Sequence, residues 1–176
     1  MKSFYTILLF VLFLTTSCGH HFFSYTPQAS VSNILWVNRL VLHGEGFEVA
    51  NREMIFPSTF RYLRNDVWTN RFSCKTVSDA RGLFLRLFHE YTKPFNESKI
   101  LRAHLHEWPV TDKMFEFDLY FYNEKNELLS PPYFARIRNG EGKILYFFWN
   151  AQKVTYELAH SEPFEEAERM FEHKEK

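Results

Sequence analysis

Apolar residues along this chain recur at helical spacing in its first half and at every second position in much of its second half. Spacings of three and four are typical of helices that bury one face, whereas alternation is typical of strands with one apolar face. Gly, Pro and Asn separate these stretches. The pattern predicts a helix over 30–42, a shorter helix over 47–56, a short strand or hairpin within 58–73, and a third helix over 78–93.

The clearest alternation lies in two stretches, 98–108 and 113–124. Because successive side chains of a strand point to opposite faces, each stretch has one apolar and one polar face. The apolar faces carry Leu101, Ala103 and Leu105 in the first stretch and Phe115, Phe117, Leu119 and Phe121 in the second. The opposite faces carry Arg102, His104 and His106, then Glu116, Asp118, Tyr120 and Tyr122. Two adjacent antiparallel strands are predicted.

A further strand over 133–138 and a turn at Asn139-Gly140 lead into the apolar strand 143–150, which is predicted to close the sheet. This last strand is apolar on both sides. One side is expected to pack on the helices, and the other to meet a second subunit, the C-terminal tail or another protein. In that tail, Phe164, Ala167 and Phe171 share one face of a predicted amphipathic helix. Together these elements predict an α+β fold.

Length and charge narrow the possible functions. The 176 residues suffice for one domain of ordinary size, and the formal net charge is zero. A neutral chain has no overall basic field to hold phosphate backbones, so we expect no nucleic-acid partner. Aromatic residues make up 19% of the chain. That fraction predicts an aromatic-lined pocket or a protein interface, and no cofactor is expected.

The first residues have the layout of an export signal, with a cation at Lys2, an apolar run over 4–14 and small residues up to Cys18. The run is about half of the ~20 residues that a membrane-spanning helix needs. The order of small residues, Cys and Gly resembles a bacterial lipoprotein signal. That resemblance implies an acylated Cys18 as the membrane anchor and a location at the bacterial cell envelope. A cleaved, secreted or periplasmic form and an uncleaved anchor are the alternatives.

The order of predicted elements resembles the NTF2-like superfamily, in particular its SnoaL-like domains. Short motifs in matching order carry this resemblance: Gly46-Phe47 after the first helix, Asp79-Ala80 with Phe84 in the third, Gly142-Lys143-Ile144 in the last hairpin, and Trp149. It implies a cone, in which N-terminal helices pack on a curved antiparallel meander sheet and leave a cavity. The chain then divides into a signal peptide (1–17), a tether (18–29), an NTF2-like domain (30–152) and a C-terminal amphipathic helix or tail (153–176).

Members of that superfamily include isomerases, cyclases and dehydratases as well as binding proteins without catalysis. The catalytic members place a carboxylate base in the cavity. On the two alternating strands the apolar face offers only Glu107, at a strand end, as a catalytic candidate, because Glu116 and Asp118 are predicted to point outward. We therefore favour a non-enzymatic binding or interaction module. The alternative is an isomerase, cyclase or hydrolyase acting on a small apolar substrate.

Two further groups of candidate residues follow. The residues expected to line a cavity for a small apolar ligand are aromatic: Trp36, Tyr62, Trp68, Phe84, Phe88, Phe115 and Phe117. The residues expected to form an interface, for a homodimer or an envelope protein, lie on the outer face of the sheet: His104, His106, Glu116, Asp118 and Tyr120. In a third interpretation the cone is filled and the outer face and tail carry the interaction. Arg136 and Arg138 are expected to pair with Glu116 and nearby carboxylates, and no metal site is assigned.

Overall fold

The computed structural model describes residues 27–55 and 60–173, so the predicted signal peptide and Cys18 lie outside the described residues. The described chain forms four helices and a sheet of six strands. In chain order these are α1 (Pro27–Glu45), β1 (Glu48–Ile55), β2 (Tyr62–Thr69), α2 (Val77–Glu97), α3 (Lys99–Arg102), β3 (Phe115–Phe121), β4 (Arg136–Gly140), β5 (Lys143–Asn150), β6 (Thr155–Pro163) and α4 (Phe164–Glu172).

The sheet is open and mixed, with its strands side by side in chain order. All neighbours are antiparallel except β2 and β3, which are parallel. A parallel pair needs a crossover connection, and α2 and α3 supply it. The predicted α+β class is confirmed at this level, and β3 to β6 form an antiparallel meander. None of the described helices is both long and apolar enough to cross a membrane.

Two predicted helices are confirmed with longer bounds, α1 and α2, but the predicted helix over 47–56 is wrong. Those residues form β1, whose Val49 is buried and pairs with Val67 of β2. The turn before it needs Gly46, whose φ of +94° is strained for any side chain. The helical spacing of Phe47, Ala50 and Met54 is overridden because β2 offers this segment backbone partners along its length, with one shift of register between Asn51 and Glu53.

The predicted strand over 98–108 is also wrong. Ser98 begins α3 there, and its side-chain Oγ accepts a hydrogen bond from the backbone N–H of Leu101 at 3.3 Å. Leu101 and Leu105 are buried, but Ala103 is exposed, so the burial has helical rather than alternating spacing. An isolated bridge between Phe60 and Leu105 is the only β pairing in this stretch. The neighbours of β3 are therefore β2 and β4.

The sheet continues one strand beyond the predicted end. β6 pairs along β5, from Asn150 opposite Thr155 to Lys143 opposite Pro163. Most of its side chains are exposed, so it lacks the buried face that makes a strand visible in a sequence. The predicted tail helix is confirmed as α4, with Phe164 and Ala167 buried.

The core lies between the helices and one face of the sheet. All four helices contribute buried apolar side chains to it, such as Leu35 of α1 and Leu101 of α3. Aromatic rings dominate its centre: the Phe95 and Phe115 ring centroids lie 4.8 Å apart, and those of Tyr91 and Phe117 lie 5.5 Å apart. Such pairs stabilise a core beyond the apolar area that they bury.

A buried polar contact joins the end of β6 to α2. Arg81 of α2 donates hydrogen bonds to both carboxylate oxygens of Glu162, at 2.6 to 3.1 Å, and the Tyr146 hydroxyl of β5 donates to the same carboxylate. Burial, with the adjacent Glu162, raises the pKa of Tyr146, so this hydroxyl remains a donor at physiological pH. The last strand is thereby attached to the helical layer.

We expect Phe115→Ala to lower the free energy of unfolding by about 3–5 kcal/mol, because the ring is fully buried and its loss leaves a cavity. Urea denaturation of the purified chain measures this. Ile100→Ala, at an exposed position on α3, is the matched control and should change stability by less than about 1 kcal/mol. Equal losses in the two variants would contradict the packing described.

Candidate functional site: the outer face of the sheet

The face of the sheet opposite the core, termed here the outer sheet face, carries a cluster of charged and aromatic side chains. The alternation predicted for β3 is confirmed: its four apolar side chains are buried in the core, and Glu116, Asp118 and Tyr120 lie on the other side. Directly opposite residues of neighbouring strands share a face. The outer sheet face carries Glu48, Ala50, Tyr62, Arg64, Asp66, Trp68, Glu116, Asp118, Tyr120, Arg136, Arg138, Leu145, Phe147, Trp149, Tyr156, Leu158 and Ser161.

Asp118 is the centre of this cluster and is fully buried, although it lies on the outer face. Arg136 donates to its two oxygens, from Nε at 2.6 Å and from Nη2 at 2.7 Å. Arg64 donates to it from the other side, at 3.2 Å. Burial alone would lower the pKa of Arg136, but the hydrogen bonds and charge of Asp118 raise it above its ordinary value. The cluster is therefore built on a desolvated bidentate ion pair.

Glu116 forms a second, more exposed set of contacts beside this pair. The Tyr62 hydroxyl donates to it at 2.6 Å. The guanidinium groups of Arg64 and Arg138 lie 3.6 and 3.5 Å from it. The expected pairing of Arg136 and Arg138 with strand carboxylates is thus confirmed. On this face β3 carries two carboxylates, β4 two arginines and β2 one of each, so the charges on these three strands balance.

Aromatic rings surround the ion pair on the side of β5 and β6. The Arg136 guanidinium lies 5.3 Å from the ring centroids of Tyr120 and Tyr156 and 5.5 Å from that of Phe147, within cation–π range. Trp149 contacts Tyr156, with ring centroids 5.1 Å apart. Burial raises the pKa of Tyr156 to about 12 and also raises that of Tyr120, so both hydroxyls stay protonated. These rings are half-buried in the chain alone.

The arrangement is suited to recognition more than to proton transfer. Both oxygens of Asp118 are occupied by guanidinium donors, and Glu116 already accepts a hydrogen bond from Tyr62. The Asp118 carboxylate is therefore not free to accept a proton from a substrate, whereas Glu116 lines a surface pocket with its hydrogen bond to Tyr62 in place. Among the described residues, no group of three or more His, Cys, Asp or Glu side chains is placed to hold a metal ion.

The residues predicted to line one cavity lie in separate places. Four of them, Phe84, Phe88, Phe115 and Phe117, are buried in the core, and Trp36 is exposed on α1. Trp68 lines a small surface pocket of about 200 Å³ together with Arg71 and Tyr122, and Tyr62 lines another of about 400 Å³ beside Glu116. The core rings contact one another, as with Phe84 and Phe117 at 5.9 Å. A ligand site shared by all seven residues is not assembled.

The other predicted residues divide between the outer sheet face and the loop after α3. Glu116, Asp118 and Tyr120 lie on the predicted face. His104 and His106 do not, because their segment is not a strand of this sheet. Glu107 is exposed in the same loop, where the Thr111 hydroxyl approaches it at 3.4 Å, rather than at the mouth of a cavity.

Sequence reasoning missed the residues that complete the cluster. Arg64 reaches Asp118 because β2 lies next to β3 in the sheet, and no local pattern in the sequence signals that pairing. Tyr156 and Leu158 belong to β6, a strand that lies within the predicted C-terminal tail. The alternation of Tyr62, Arg64, Asp66 and Trp68 was the available signal, since it repeats the charge and aromatic pattern of β3.

We expect Asp118→Leu to lower the free energy of unfolding by about 3–5 kcal/mol, because it leaves the Arg136 charge buried without its partner. The double variant Asp118→Leu with Arg136→Met should recover much of that loss, since it removes both charges. Thermal or urea unfolding measures the free energy of unfolding of each variant. Glu90→Gln, which removes an exposed partner of Arg86, is the control and should cost about 0.5 kcal/mol. A double variant no more stable than the single one would contradict the pairing.

We expect Cys74 to resist alkylation in the folded chain. The thiol is buried, and burial together with the charge of Asp79 raises its pKa to about 11. At pH 8 its thiolate fraction is about a hundredfold below that of an unperturbed thiol, and the fraction rises as the pH approaches 11. Mass spectrometry of the Cys74 peptide after iodoacetamide treatment measures the rate, with urea-unfolded chain as the control. Equal rates in folded and unfolded chain would contradict this placement.

Comparison with models of protein families, with curated proteins and with solved structures finds no match to this chain. The function proposed below therefore rests on the chain's own residues.

Proposed function

We propose that this protein is an exported, lipid-anchored and non-enzymatic interaction module that binds a protein partner through the outer sheet face. The observation that carries the proposal is the buried Asp118–Arg136 pair with half-buried aromatic rings beside it. All four described helices contribute to the core on the opposite face, so none of them covers this surface.

The composition of the outer sheet face supports a protein partner. Interfaces are enriched in Tyr, Trp, Phe and Arg, and their strongest contacts surround desolvated groups near the centre. Tyr120, Phe147, Trp149 and Tyr156 supply such rings, and Leu158 beside them is 58% exposed. A partner that covers these rings would exclude water from an ion pair that is already formed and already desolvated.

The charge pattern favours a second copy of the chain as the first candidate partner. Three arginines and three carboxylates lie on the same three strands: Arg64, Arg136 and Arg138 with Asp66, Glu116 and Asp118. A face with balanced charges of both signs can be complementary to itself across a two-fold axis, as closed dimers require. A strongly charged partner would find no opposing net charge here.

The location in the proposal comes from the first residues of the chain. Lys2, the apolar run over 4–14 and Cys18 have the layout of a bacterial lipoprotein signal. An acylated Cys18 would hold the domain at the cell envelope. A secreted or periplasmic form without the acyl chain is the alternative, and it leaves the binding surface unchanged.

The proposal retains the NTF2-like resemblance in one respect and departs from it in another. Helices over one face of a sheet support the resemblance. Phe84, Phe88, Phe115 and Phe117 pack against the core where a cone would hold its ligand, so we propose the filled form, with binding outside. No observation favours the enzymatic alternative, since Glu107 is exposed in a loop.

A photo-crosslinking residue at Leu158, in the full chain exported by a bacterial host, should give a discrete adduct with a protein. The same residue at Ile100 on the helical side is the matched control and should give none. We expect Trp149→Ser to reduce the Leu158 adduct by tenfold or more, because truncating an anchor aromatic costs about 2 kcal/mol or more of binding. Trp108→Ser, at an exposed site on the other side, should leave the adduct unchanged.

An adduct of two copies would identify a homodimer, and an adduct with another envelope protein would identify a different partner. Both results support the proposed binding surface. Equal labelling from Leu158 and Ile100, or an adduct that Trp149→Ser leaves unchanged, would overturn it.

A further inference from the structure

The helix α1 is apolar on its exposed side as well as on its buried side. Val31, Leu35 and Leu42 pack into the core. Four other side chains form an exposed stripe, defined here as the α1 stripe: Trp36 (59% exposed), Val37 (45%), Leu40 (52%) and Val41 (48%). They lie at positions i, i+1, i+4 and i+5, so they adjoin one another along one face. A water-exposed helix ordinarily has polar residues there.

The residues of α1 that border the α1 stripe are basic or neutral up to the last turn of the helix. Near that end lie two carboxylates, Glu45 and, on β1, Glu48, whose Oε1 is 2.7 Å from Nδ1 of His43. Arg39 and His43 lie on α1 beside the α1 stripe, and the first acidic residue of the helix is Glu45, in its last turn. Glu45 accepts a hydrogen bond from Arg86 at 2.9 Å. The short helix α3, which packs on α1, carries Lys99 and Arg102, and the Arg102 guanidinium lies 3.9 Å from the centroid of the Trp108 ring. An apolar face with a Trp and a cationic border is the composition of helices that lie in the surface of an anionic membrane.

The position of α1 in the chain places it close to the proposed lipid anchor. Pro27, the first residue of the helix, follows Cys18 by nine positions. A stretch of that length reaches at most about 32 Å when fully extended. An acyl chain on Cys18 would therefore hold α1 within about the thickness of one bilayer from the lipid surface.

We infer that the α1 stripe lies in the outer part of a membrane that contains anionic lipids, with Trp36 among the headgroups and Arg39, Lys99 and Arg102 near phosphates. The inference rests on the lipid anchor of the proposed function. It adds an orientation: α1 lies along the membrane, and the outer sheet face, on the other side of the core, points away from it. The contact of α1 with the membrane also fixes the orientation of the domain, which an acyl chain alone would leave free to rotate.

The test uses the full acylated chain in vesicles of phosphatidylethanolamine and phosphatidylglycerol, with a polarity-sensitive fluorophore on Val37→Cys. Buried Cys74 is protected from the label. We expect the emission to shift to the blue and to be quenched by lipids that carry a spin label on their acyl chains. The same fluorophore on Leu158→Cys, on the outer sheet face, is the control, and these lipids should not quench it whether or not a second copy covers that face. Leu40→Ser in the Val37-labelled chain should lower the ratio of docked to undocked helix about tenfold.

Flotation of the same vesicles measures separately whether the acyl anchor binds the chain to the membrane. A chain that floats while its Val37 label remains in water overturns this inference and leaves the anchor intact. A chain that does not float overturns the anchor and this inference with it. A Val37 label that leaves water but is not quenched by lipid shows α1 packed on a second copy and also overturns the inference. Fluorescence and quenching that Leu40→Ser leaves unchanged would also overturn the inference.

Discussion

The packing of α2 rings on β3 is the contact on which the rest of this structure depends. Phe95 and Tyr91 of α2 meet Phe115 and Phe117 of β3 edge to face, and all four side chains are buried. Because side chains alternate along a strand, fixing Phe115 and Phe117 inward fixes Glu116 and Asp118 outward. The core thus determines the site on the opposite face, although no core residue belongs to that site.

The parts of the fold that the sequence predicted are those whose burial has a single, clear period. β3 alternates without exception, and α2 repeats Phe84, Leu87, Phe88 and Tyr91 at helical spacing, so both were recognised. Residues 47–56 have helical spacing but form a strand, because they pair with β2. Residues 98–108 have alternating spacing but form a short helix and a loop, because Ser98 caps the helix and Leu105 bridges to Phe60. The strand β6 is mostly exposed, so its sequence has no alternation of apolar and polar residues that would predict it.

The sequence also predicted part of the candidate site, namely the residues on β3 and β4. The strand β3 revealed which acids face outward, and the two arginines of β4 were expected beside them. The full cluster needed strand order, which brings Arg64 from one side and Tyr156 from the other. One sequence does not determine strand order, since any two strands with an apolar face satisfy the same pattern. The burial of Asp118 could not be predicted from the sequence, because it depends on side chains of the neighbouring strands.

The parallel pair β2–β3 also has a consequence for how the chain acquires its structure during synthesis. Its contacts join residues far apart, such as Tyr62 and Glu116, which are 54 positions apart, and Arg81 binds Glu162 across 81 positions. Contacts of this range are slow to form and cannot form before the later partner has left the ribosome. The first half of the chain therefore cannot complete its sheet alone. For a chain that is exported, as proposed, this late closure lengthens the interval in which it is still unfolded enough to be translocated.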